Sequence, residues 1–505
     1  MPRATMQTSG AVFSDGQDHP IRPKATLTKP LRVAILGDFS GRSSRGISEP
    51  ETIAKRRAYT LNKDNFERTF EDLGVQLKVP VMDEPLSLME FDDLHPDYLY
   101  SRVPLFKQFI ELNKQLLTPS KFDQAADEIK QWVNFQAQQF TSTGADTDAE
   151  EGQLMLDAIL SSSNYQAQYA SSPQGQIDQL IKDIVAPFVA PTADPRQADM
   201  LKAVTEATND AMRKIMHQSD FQQIEASWRS LHMLMRRLDS HPELYIDIID
   251  ITKAELLADL AAAGEDLEQA QIFKRLVSSQ TSSGNMPYNL VLGDFFIEDR
   301  VEDVALLIDM ATIAQAVDGC FVSGGSTKLA GCPSVAGSAD PDDWYYPIDD
   351  EFQSAWQALR AFDASEHLCL AAPRFLLRLP FGAKTASTDC FEFEELPETK
   401  GHKYYLWGNS AYLVTLQLCQ SYLDFGSHFN PDHNPKVSDL PLHVYKEYGS
   451  QQIKPCAENL LTDSGIGVLA QAGLTAVRSV QNSDAVLINQ FKSVSESGLL
   501  RGPWS

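Results

Sequence analysis

The chain has 505 residues, a formal net charge of −26 at pH 7, and the hydrophobic (43%) and charged (22%) fractions of an ordinary globular protein. This acidity disfavours binding to nucleic acids and to anionic membrane surfaces. No apolar run approaches the roughly 20 residues that a membrane-spanning helix needs, so we expect neither a nucleic-acid partner nor membrane insertion.

The cysteines and the N-terminus together predict a cytoplasmic protein. The cysteines form no C-x-x-C pair and lie mostly in apolar surroundings, which indicates buried, reduced thiols and neither disulfides nor a zinc site. They are Cys320, Cys332, Cys369, Cys390, Cys419 and Cys456. The N-terminus is polar and shows no apolar segment of a secretory signal.

Residues 1–30 are rich in Thr, Ser, Gly, Pro and charged residues, a composition typical of a flexible N-terminal arm. The apolar run Leu31–Leu36 then predicts a strand. The loop Gly37–Arg42 follows it, with glycines at the wrong spacing for a dinucleotide or P-loop motif. A nucleotide site there is a weak alternative to a plain turn.

Residues 31–120 predict a small, β-rich α/β domain. Val75–Val81 and Leu86–Phe91 have the apolar pattern of strands. Pro96 and Pro104 suit the first turns of two helices, because proline lacks the N–H group that a helix leaves unpaired at that position.

Residues 121–205 change in character and predict a linker with helical segments. A short apolar patch interrupts the linker, formed by Leu154, Met155, Leu156, Ile159 and Leu160. Such a patch between flexible flanks is either a helix docked on its own domain or a peptide offered to the groove of a partner protein.

Residues 206–505 predict a larger domain with a long amphipathic helix near its start. Ser219–Gln222 has the pattern of a capping box at the beginning of this helix. Glu225 and Arg229 follow with the i, i+4 spacing of an intrahelical ion pair. Thr252–Glu255 is a second helix-capping pattern.

Strand and helix patterns alternate along the rest of this domain. They predict strands at Leu244–Ile251, Asn289–Phe295, Gly319–Val322, Gly467–Leu469 and Leu474–Val477, and helices at Val301–Ala316 and Ser410–Asp424. Strands separated by helices indicate a largely parallel sheet. The predicted fold class is therefore α/β, with mixed sheets and flanking helices.

Arg374 and Arg378 lie in an otherwise apolar run, where an unpaired buried charge would cost several kcal/mol. The nearest candidate partners are Glu392, Glu394 and Glu395. These charges form either structural ion pairs or part of an active site. No nucleophile elbow, H-E-x-x-H motif or Walker A lysine accompanies them, so we predict structural pairs with no catalytic residue, cofactor or metal.

A series of segments, in conserved order along the chain, resembles the two contractile-sheath subunits of type VI secretion systems. Those similar to the small subunit are Leu36–Arg42, Asp64–Phe66, Phe91–Pro96 and Val103–Phe106. Those similar to the large subunit are Ser219–His232, Tyr288–Phe295, Ala372–Gly382, Leu406–Ala411, Asp439–His443 and Gln490–Val494. Ser230 and Ser410 depart from glycines of that family. The chain thus resembles both subunits joined, with the small one first.

The resemblance implies a non-enzymatic protein that polymerises around an inner tube and contracts to propel it. It implies extended terminal strands that are exchanged between protomers. The implied partners are further copies of the chain, the inner-tube protein, the baseplate and an AAA+ disassembly ATPase that recognises the patch at residues 154–160. The alternatives are an α/β enzyme of unidentified activity and a sheath or baseplate adaptor that does not polymerise.

Overall fold

The computed structural model describes residues 29–79, 82, 84–118, 120–125, 197–396, 401–433, 435–447, 449–488 and 490–504. The strands are β1 (Leu31–Gly37), β2 (Ala58–Thr60), β3 (Gln76–Leu77), β4 (Leu86–Ser87), β5 (Leu244–Asp250), β6 (Leu290–Ile297), β7 (Cys320–Gly325), β8 (Leu368–Ala372), β9 (Phe375–Leu376), β10 (Trp407–Gly408), β11 (Lys436–Val437), β12 (His443–Glu447), β13 (Ser450–Lys454), β14 (Leu474–Ser479) and β15 (Val486–Ile488). The longer helices are α1 (Phe66–Leu73), α2 (Pro96–Arg102), α3 (Pro104–Leu117), α4 (Gln197–Met216), α5 (Ser219–Arg237), α6 (Lys253–Ala263), α7 (Val301–Ala316), α8 (Asp350–Arg360), α9 (Ala411–Phe425) and α10 (Asp463–Gln471).

A nine-stranded mixed sheet organises the described residues, in the order β11-β15-β14-β8-β7-β6-β1-β5-β2. Neighbours from β14 to β5 run parallel, whereas β2, β15 and β11 pair antiparallel at the two edges. Strand β1 lies between β5 and β6, in register with β5 from Leu31 opposite Leu244 to Gly37 opposite Asp250. Residues 31–120 and 206–505 therefore contribute strands to the same sheet.

Helices cover both faces of this sheet, which explains why its inner strands are continuous apolar runs. Leu31, Val33 and Ile35 of β1 join the core shared with α5 and α9. Ala34 and Leu36 join the core shared with α6, α7, α8 and α10, because successive side chains of a strand point to opposite faces. The predicted α/β class is confirmed.

Helix α7 has the bounds predicted from the sequence, and the capping pattern before α6 is also confirmed. The hydroxyl of Thr252 accepts from the N–H of Glu255 at 3.0 Å, and the carboxylate of Glu255 accepts from the N–H of Thr252 at 3.0 Å. This reciprocal pair satisfies two N–H groups that the helix leaves unpaired.

The capping box predicted at Ser219 is wrong. Ser219 lies in the first turn of α5, and Gln218 is the N-cap, without a side-chain cap hydrogen bond. The preceding helix α4 ends at Met216, so only two residues separate the helices, and Gln218 takes the extended conformation. Helix α4 itself spans residues 205 and 206, where the sequence-based boundary between linker and larger domain was placed.

The strand predicted at Gly467–Leu469 is also wrong, because these residues belong to α10. The hydroxyl of Thr462 accepts from the N–H of Gly465 at 3.0 Å and caps this helix. Ile466 and Leu469, three residues apart, bury on one side of it. A short apolar run does not by itself distinguish a strand from a helix.

The C-terminal residues fold back on their own chain. Residues 490–504 contain no strand, and an isolated bridge joins Lys492 to Leu499. Trp504 packs against Phe429 with 5.3 Å between ring centroids. The extended C-terminal strand implied by the resemblance is thus absent from these described residues, and residues 1–28, where the N-terminal one was expected, lie outside the described part.

Candidate functional site

Arg378 lies at the centre of a buried charge cluster, which we call the Arg378 cluster, formed with Glu225, Arg229 and Glu395. Its Nε and Nη2 donate to the carboxylate of Glu225 at 2.7 and 3.1 Å, and its Nη1 and Nη2 donate to that of Glu395 at 2.6 and 2.8 Å. Glu225 also accepts from Arg229 Nε at 2.7 Å, which confirms the predicted helical pair. The four groups carry two positive and two negative charges.

The members of the Arg378 cluster come from three parts of the fold. Glu225 and Arg229 lie one turn apart on α5, so both face the same side of the helix. Arg378 follows the short strand β9, and its guanidinium lies over the ring of Phe381 at 4.4 Å. Glu395 is held further by the N–H of Phe381, which donates to it at 2.7 Å.

The electrostatics of the cluster favour charged forms in spite of burial. Burial alone would raise the pKa of Glu395, but the charge of Arg378, with His217 and the N–H of Phe381, lowers it to about 2. Burial also opposes ionisation of Glu225, yet Arg378 and Arg229 hold its pKa below the ordinary value. Burial disfavours the guanidinium of Arg378, and the two carboxylates outweigh this and raise its pKa.

The loop 379–394, between Arg378 and Glu395, packs against helix α2. This helix belongs to residues 31–120, which we call the small segment, whereas the loop belongs to residues 206–505, the larger segment. Asp97 accepts from the backbone N–H groups of residues 389 and 390, each at 2.9 Å. The rings of Tyr100 and Phe391 stack with centroids 4.3 Å apart. The Arg378 cluster therefore anchors a loop through which the larger segment contacts the smaller one.

Arg374 pairs with a carboxylate that the sequence analysis did not identify. Its Nε donates to Glu458 at 2.7 Å, and its backbone N–H donates to the same oxygen at 3.0 Å. His402 Nε2 lies 3.0 Å from the other oxygen. Burial would raise the pKa of Glu458, but His402 and Arg374 lower it to about 2.

Two of the three carboxylates named from the sequence as candidate partners of Arg374 and Arg378 are wrong. Glu395 contacts Arg378, whereas Glu392 and Glu394 are exposed and pair with neither arginine in the part of the chain that the structure describes. Glu394 instead accepts from the backbone N–H of Ala383 at 3.0 Å. Proximity in sequence selected these two residues, while Glu458 lies 84 positions from Arg374.

A second cluster, which we call the Glu255 cluster, joins the small segment to α6. Arg42 Nη2 and Arg56 Nη2 donate to the same oxygen of Glu255 at 2.8 and 2.7 Å, and Arg56 Nη1 donates to the other at 2.9 Å. The backbone N–H of Glu49 adds a bond at 2.8 Å. Burial opposes the charge of Glu255, but these donors hold its pKa well below the ordinary value.

Sequence reasoning missed the Glu255 cluster because Arg56 and Arg42 lie 199 and 213 positions from Glu255 along the chain. Glu255 was assigned to the helix cap alone, and it fills that position as well. No spacing rule relates Arg42 or Arg56 to it. The one available signal was that both arginines follow the predicted strand at Leu31–Leu36, whose apolar residues indicate that it pairs with neighbouring strands.

The glycine-bearing loop 37–42 binds carboxylates of its own chain. Asp250 accepts from the N–H groups of Phe39 and Ser40 at 2.8 and 3.1 Å. Asp38 accepts from the N–H of Gly41 at 2.9 Å. These contacts use the N–H groups that a bound phosphate would need, so the geometry argues against the nucleotide alternative.

Two wider searches of the described residues are negative. Within them no group of three or more His, Cys, Asp or Glu side chains is arranged to hold a metal ion. No described helix has the length and apolar character to cross a bilayer. The apolar patch of Leu154, Met155, Leu156, Ile159 and Leu160 lies outside the described residues.

Comparison with known proteins assigns both segments. Residues 198–495 match the family model VipB, described as EvpB, tail sheath N-terminal domain. Residues 23–134 match the model for VipA of the type VI secretion system. The chain is 32% identical over 276 residues to the type VI secretion system sheath protein TssC1 of Pseudomonas aeruginosa, a match covering 54% of this chain and 55% of that protein.

The chain belongs to the VipB family of tail sheath proteins, since that model matches well over half of it. It also carries a VipA segment, so the resemblance to two fused sheath subunits is confirmed. The chain spans about half the length of the curated relative that it matches.

Proposed function

We propose that this protein is a structural subunit of a type VI secretion contractile sheath, which polymerises around an inner tube and contracts to propel it. The observation that carries the proposal is the joining of both sheath segments in one sheet, with β1 of the VipA segment between β5 and β6 of the VipB segment. Such a chain carries the two segments in a fixed one-to-one ratio.

The charge clusters fit a mechanical role. A contracting sheath rearranges the contacts between its protomers. Each protomer moves as one packed body, because a close-packed core does not deform continuously. The Arg378 and Glu255 clusters fix loops and helices of both segments by charge-assisted hydrogen bonds, which are about twice as strong as neutral ones. In this proposal they hold the protomer rigid, and the protein has no catalytic activity and no cofactor.

The proposed partners are further copies of the chain, the inner-tube protein and the baseplate, in the cytoplasm. We also propose that the patch at residues 154–160 is recognised by an AAA+ disassembly ATPase. Replacing Leu156→Asp together with Ile159→Asp should leave polymerisation intact and abolish binding of that ATPase in a pull-down. Undiminished binding of the double variant would contradict this assignment.

Negative-stain electron microscopy tests the main proposal. The purified full-length chain, alone and with the inner-tube protein, should form hollow cylinders. Deleting residues 1–28 should prevent polymerisation, because these residues include the N-terminal segment proposed to exchange between protomers. Thermal unfolding should stay unchanged, because the described sheet begins at Leu31. A chain that stays monodisperse under all salt and crowding conditions, with or without the inner tube, would favour the non-polymerising adaptor.

A further inference from the structure

Helix α7 presents an apolar face to solvent. Its exposed residues include Val301, Ala305, Ile308, Thr312 and Ala316, and spacings of three and four residues place these five on one stripe along the helix. Two polar residues, Glu302 and Gln315, are exposed on either side of the stripe. We call this stripe the α7 face. Val301 and Ile308 keep 40% and 37% of their surface exposed.

The opposite side of α7 is also apolar. Leu306, Leu307 and Met310 are buried in the core beneath the sheet, and α6, α8 and the turn Asp363–His367 pack beside the helix. A surface helix ordinarily turns a charged face to water, and one that is apolar all round is ordinarily buried. The stripe of α7 between Glu302 and Gln315 therefore lacks the charged residues of an ordinary solvent-facing helix surface.

The α7 face makes few polar demands on a neighbour. The hydroxyl of Thr312 already donates to the carbonyl oxygen of Ile308 at 2.9 Å. The nearest charges on the helix, Glu302 and Asp309, lie on one flank of the stripe, about 60–80° round the helix from its centre, and the uncharged amide of Gln315 lies about 60° away on the other flank. A partner surface can therefore cover the stripe without burying an ionised group.

Charge indicates what covers this face. Each copy of the chain carries a formal net charge of −26, so two copies repel each other across most of their surfaces. An uncharged stripe lets copies approach without placing carboxylates opposite carboxylates. A basic partner would instead be favoured at an acidic surface, which the α7 face is not.

The size of the face indicates the kind of contact. A helix of this length is about 24 Å long, and a stripe about 10 Å wide covers roughly 240 Å², well below the about 800 Å² per partner of a stable dimer. Such a contact is too small to hold two dispersed copies together. It becomes effective where other contacts already bring copies side by side, as in a polymer.

We infer that the α7 face is a contact between neighbouring copies of this chain in the assembled sheath. This inference rests on the proposed function and adds the surface through which protomers meet. The contact is apolar. The symmetry of the tube decides whether the α7 face meets a different surface of the neighbouring copy or the same face.

Thiol labelling in the assembled state tests the inference. In a Cys390→Ser background, which removes the exposed native thiol, Ile308→Cys places a probe on the α7 face. Leu117→Cys places a control at an apolar residue that is 62% exposed on α3. Assembly should slow maleimide labelling at residue 308 by more than about tenfold, because water is excluded from a covered contact, and should leave residue 117 nearly unchanged.

A substitution gives an independent readout. Ile308→Glu should lower the fraction of chain in polymer while the unfolding transition stays that of the wild type, because the side chain is exposed and glutamate favours helices. Leu117→Glu is the matched control and should polymerise normally. Polymer yield is measured by sedimentation and electron microscopy.

Each outcome decides the inference. Protection at residue 308 and reduced yield with Ile308→Glu support it. A wild-type polymer in which residues 308 and 117 label equally fast overturns it and leaves the proposed function standing. Protection that appears in polymer containing inner-tube protein but not in polymer formed without it overturns it in favour of a contact with the tube. A wild-type chain that forms no polymer overturns the proposed function and this inference together.

Discussion

Arg378 shows how a buried charge is accommodated at the scale of one residue. Burying an ion costs several kcal/mol, and the interior offsets this only with good geometry and further hydrogen bonds. Arg378 has both, since two carboxylates bind it and its ring neighbour Phe381 lies against the guanidinium. Removing one charged member leaves its partners buried without a counter-charge. The resulting loss of folding stability can be measured.

Arg378→Met should destabilise the folded protein by about 3–5 kcal/mol, because Glu225 and Glu395 would keep their burial and lose a shared counter-charge. Urea denaturation at neutral pH measures the loss. Arg374→Met is the matched control. Its side chain is 41% exposed and bonds a single carboxylate, so its cost should be clearly smaller.

A compensated variant separates lost charge balance from lost packing. Adding Glu225→Gln and Glu395→Gln to Arg378→Met removes the uncompensated charges and should recover part of the stability. Equal losses for Arg378→Met and Arg374→Met, or no recovery in the triple variant, would contradict the role assigned to the cluster.

Asp294 is a buried carboxyl group of the opposite kind. It is fully enclosed between β6, α5 and α9, and burial raises its pKa to about 6 although Ser227, Tyr412 and Asn409 donate hydrogen bonds to it. The hydroxyl of Tyr412 lies 3.0 Å from its Oδ2. A folded-state pKa above the ordinary 3.8 means that the folded state binds this proton more tightly than the unfolded state does.

Asp294 should therefore make the protein more stable at about pH 5 than at about pH 7.5. Its favourable contribution is present below the ordinary pKa and is lost as pH rises through about 6. Asp294→Asn should flatten this dependence and raise stability at the higher pH by at most about 3 kcal/mol. Denaturation midpoints at the two pH values measure it, with Asp239→Asn, whose side chain is 99% exposed, as control. An unchanged slope in Asp294→Asn would contradict the assignment.

Partner identities at this scale were only partly predictable. A buried arginine needs a carboxylate, which physical chemistry alone requires, and Glu395 lies near enough in sequence to be named. Glu225 lies 153 positions from Arg378, and Glu458 lies 84 positions from Arg374. Such pairs are set by how α5 and the loop after β13 pack on the sheet, which is a tertiary property that no local pattern encodes.

At the scale of elements, the positions of the long helices were predicted well from the sequence, whereas the pairing of strands in the sheet was not. Strands β1, β5, β6 and β7 follow from their apolar runs, but their order does not, because parallel strands pair without a hairpin to fix them as neighbours. Strand β1 enters between β5 and β6, more than 200 residues away along the chain. The short strands β3 and β4 replace two longer predicted strands.

Glu255→Gln tests how the two segments are fixed at this element boundary. Glutamine keeps the helix-capping geometry but removes the charge opposite Arg42 and Arg56. We expect a loss of about 1–3 kcal/mol and faster amide hydrogen exchange in residues 42–56, with little change within α6. Glu298→Gln, which removes an exposed pair with Arg300, is the control and should change neither. Unaltered exchange in residues 42–56 would show that the Glu255 cluster does not hold this loop.

At the scale of the whole molecule, the sheet makes the two segments interdependent. Without β1, strands β5 and β6 would each expose an unpaired edge in the middle of the sheet, where an edge is ordinarily protected or paired. The side chain of Trp228 on α5 adds a further tie, since its Nε1 donates to the carbonyl oxygen of Phe39 at 2.9 Å. The covalent connection between the segments is therefore more important for bringing them together than for holding them.

A nicked chain tests this distinction. A specific protease site is inserted between residues 126 and 196, and the folded protein is then cleaved there. Both fragments should elute together from a sizing column in native buffer and separate only in denaturant, because β1 keeps its backbone hydrogen bonds on both sides. After denaturation, the intact chain should refold at a rate independent of concentration, whereas the nicked chain should refold more slowly as it is diluted, since pairing has become bimolecular. Fragments that separate in native buffer would show instead that the connection is needed to maintain the shared sheet.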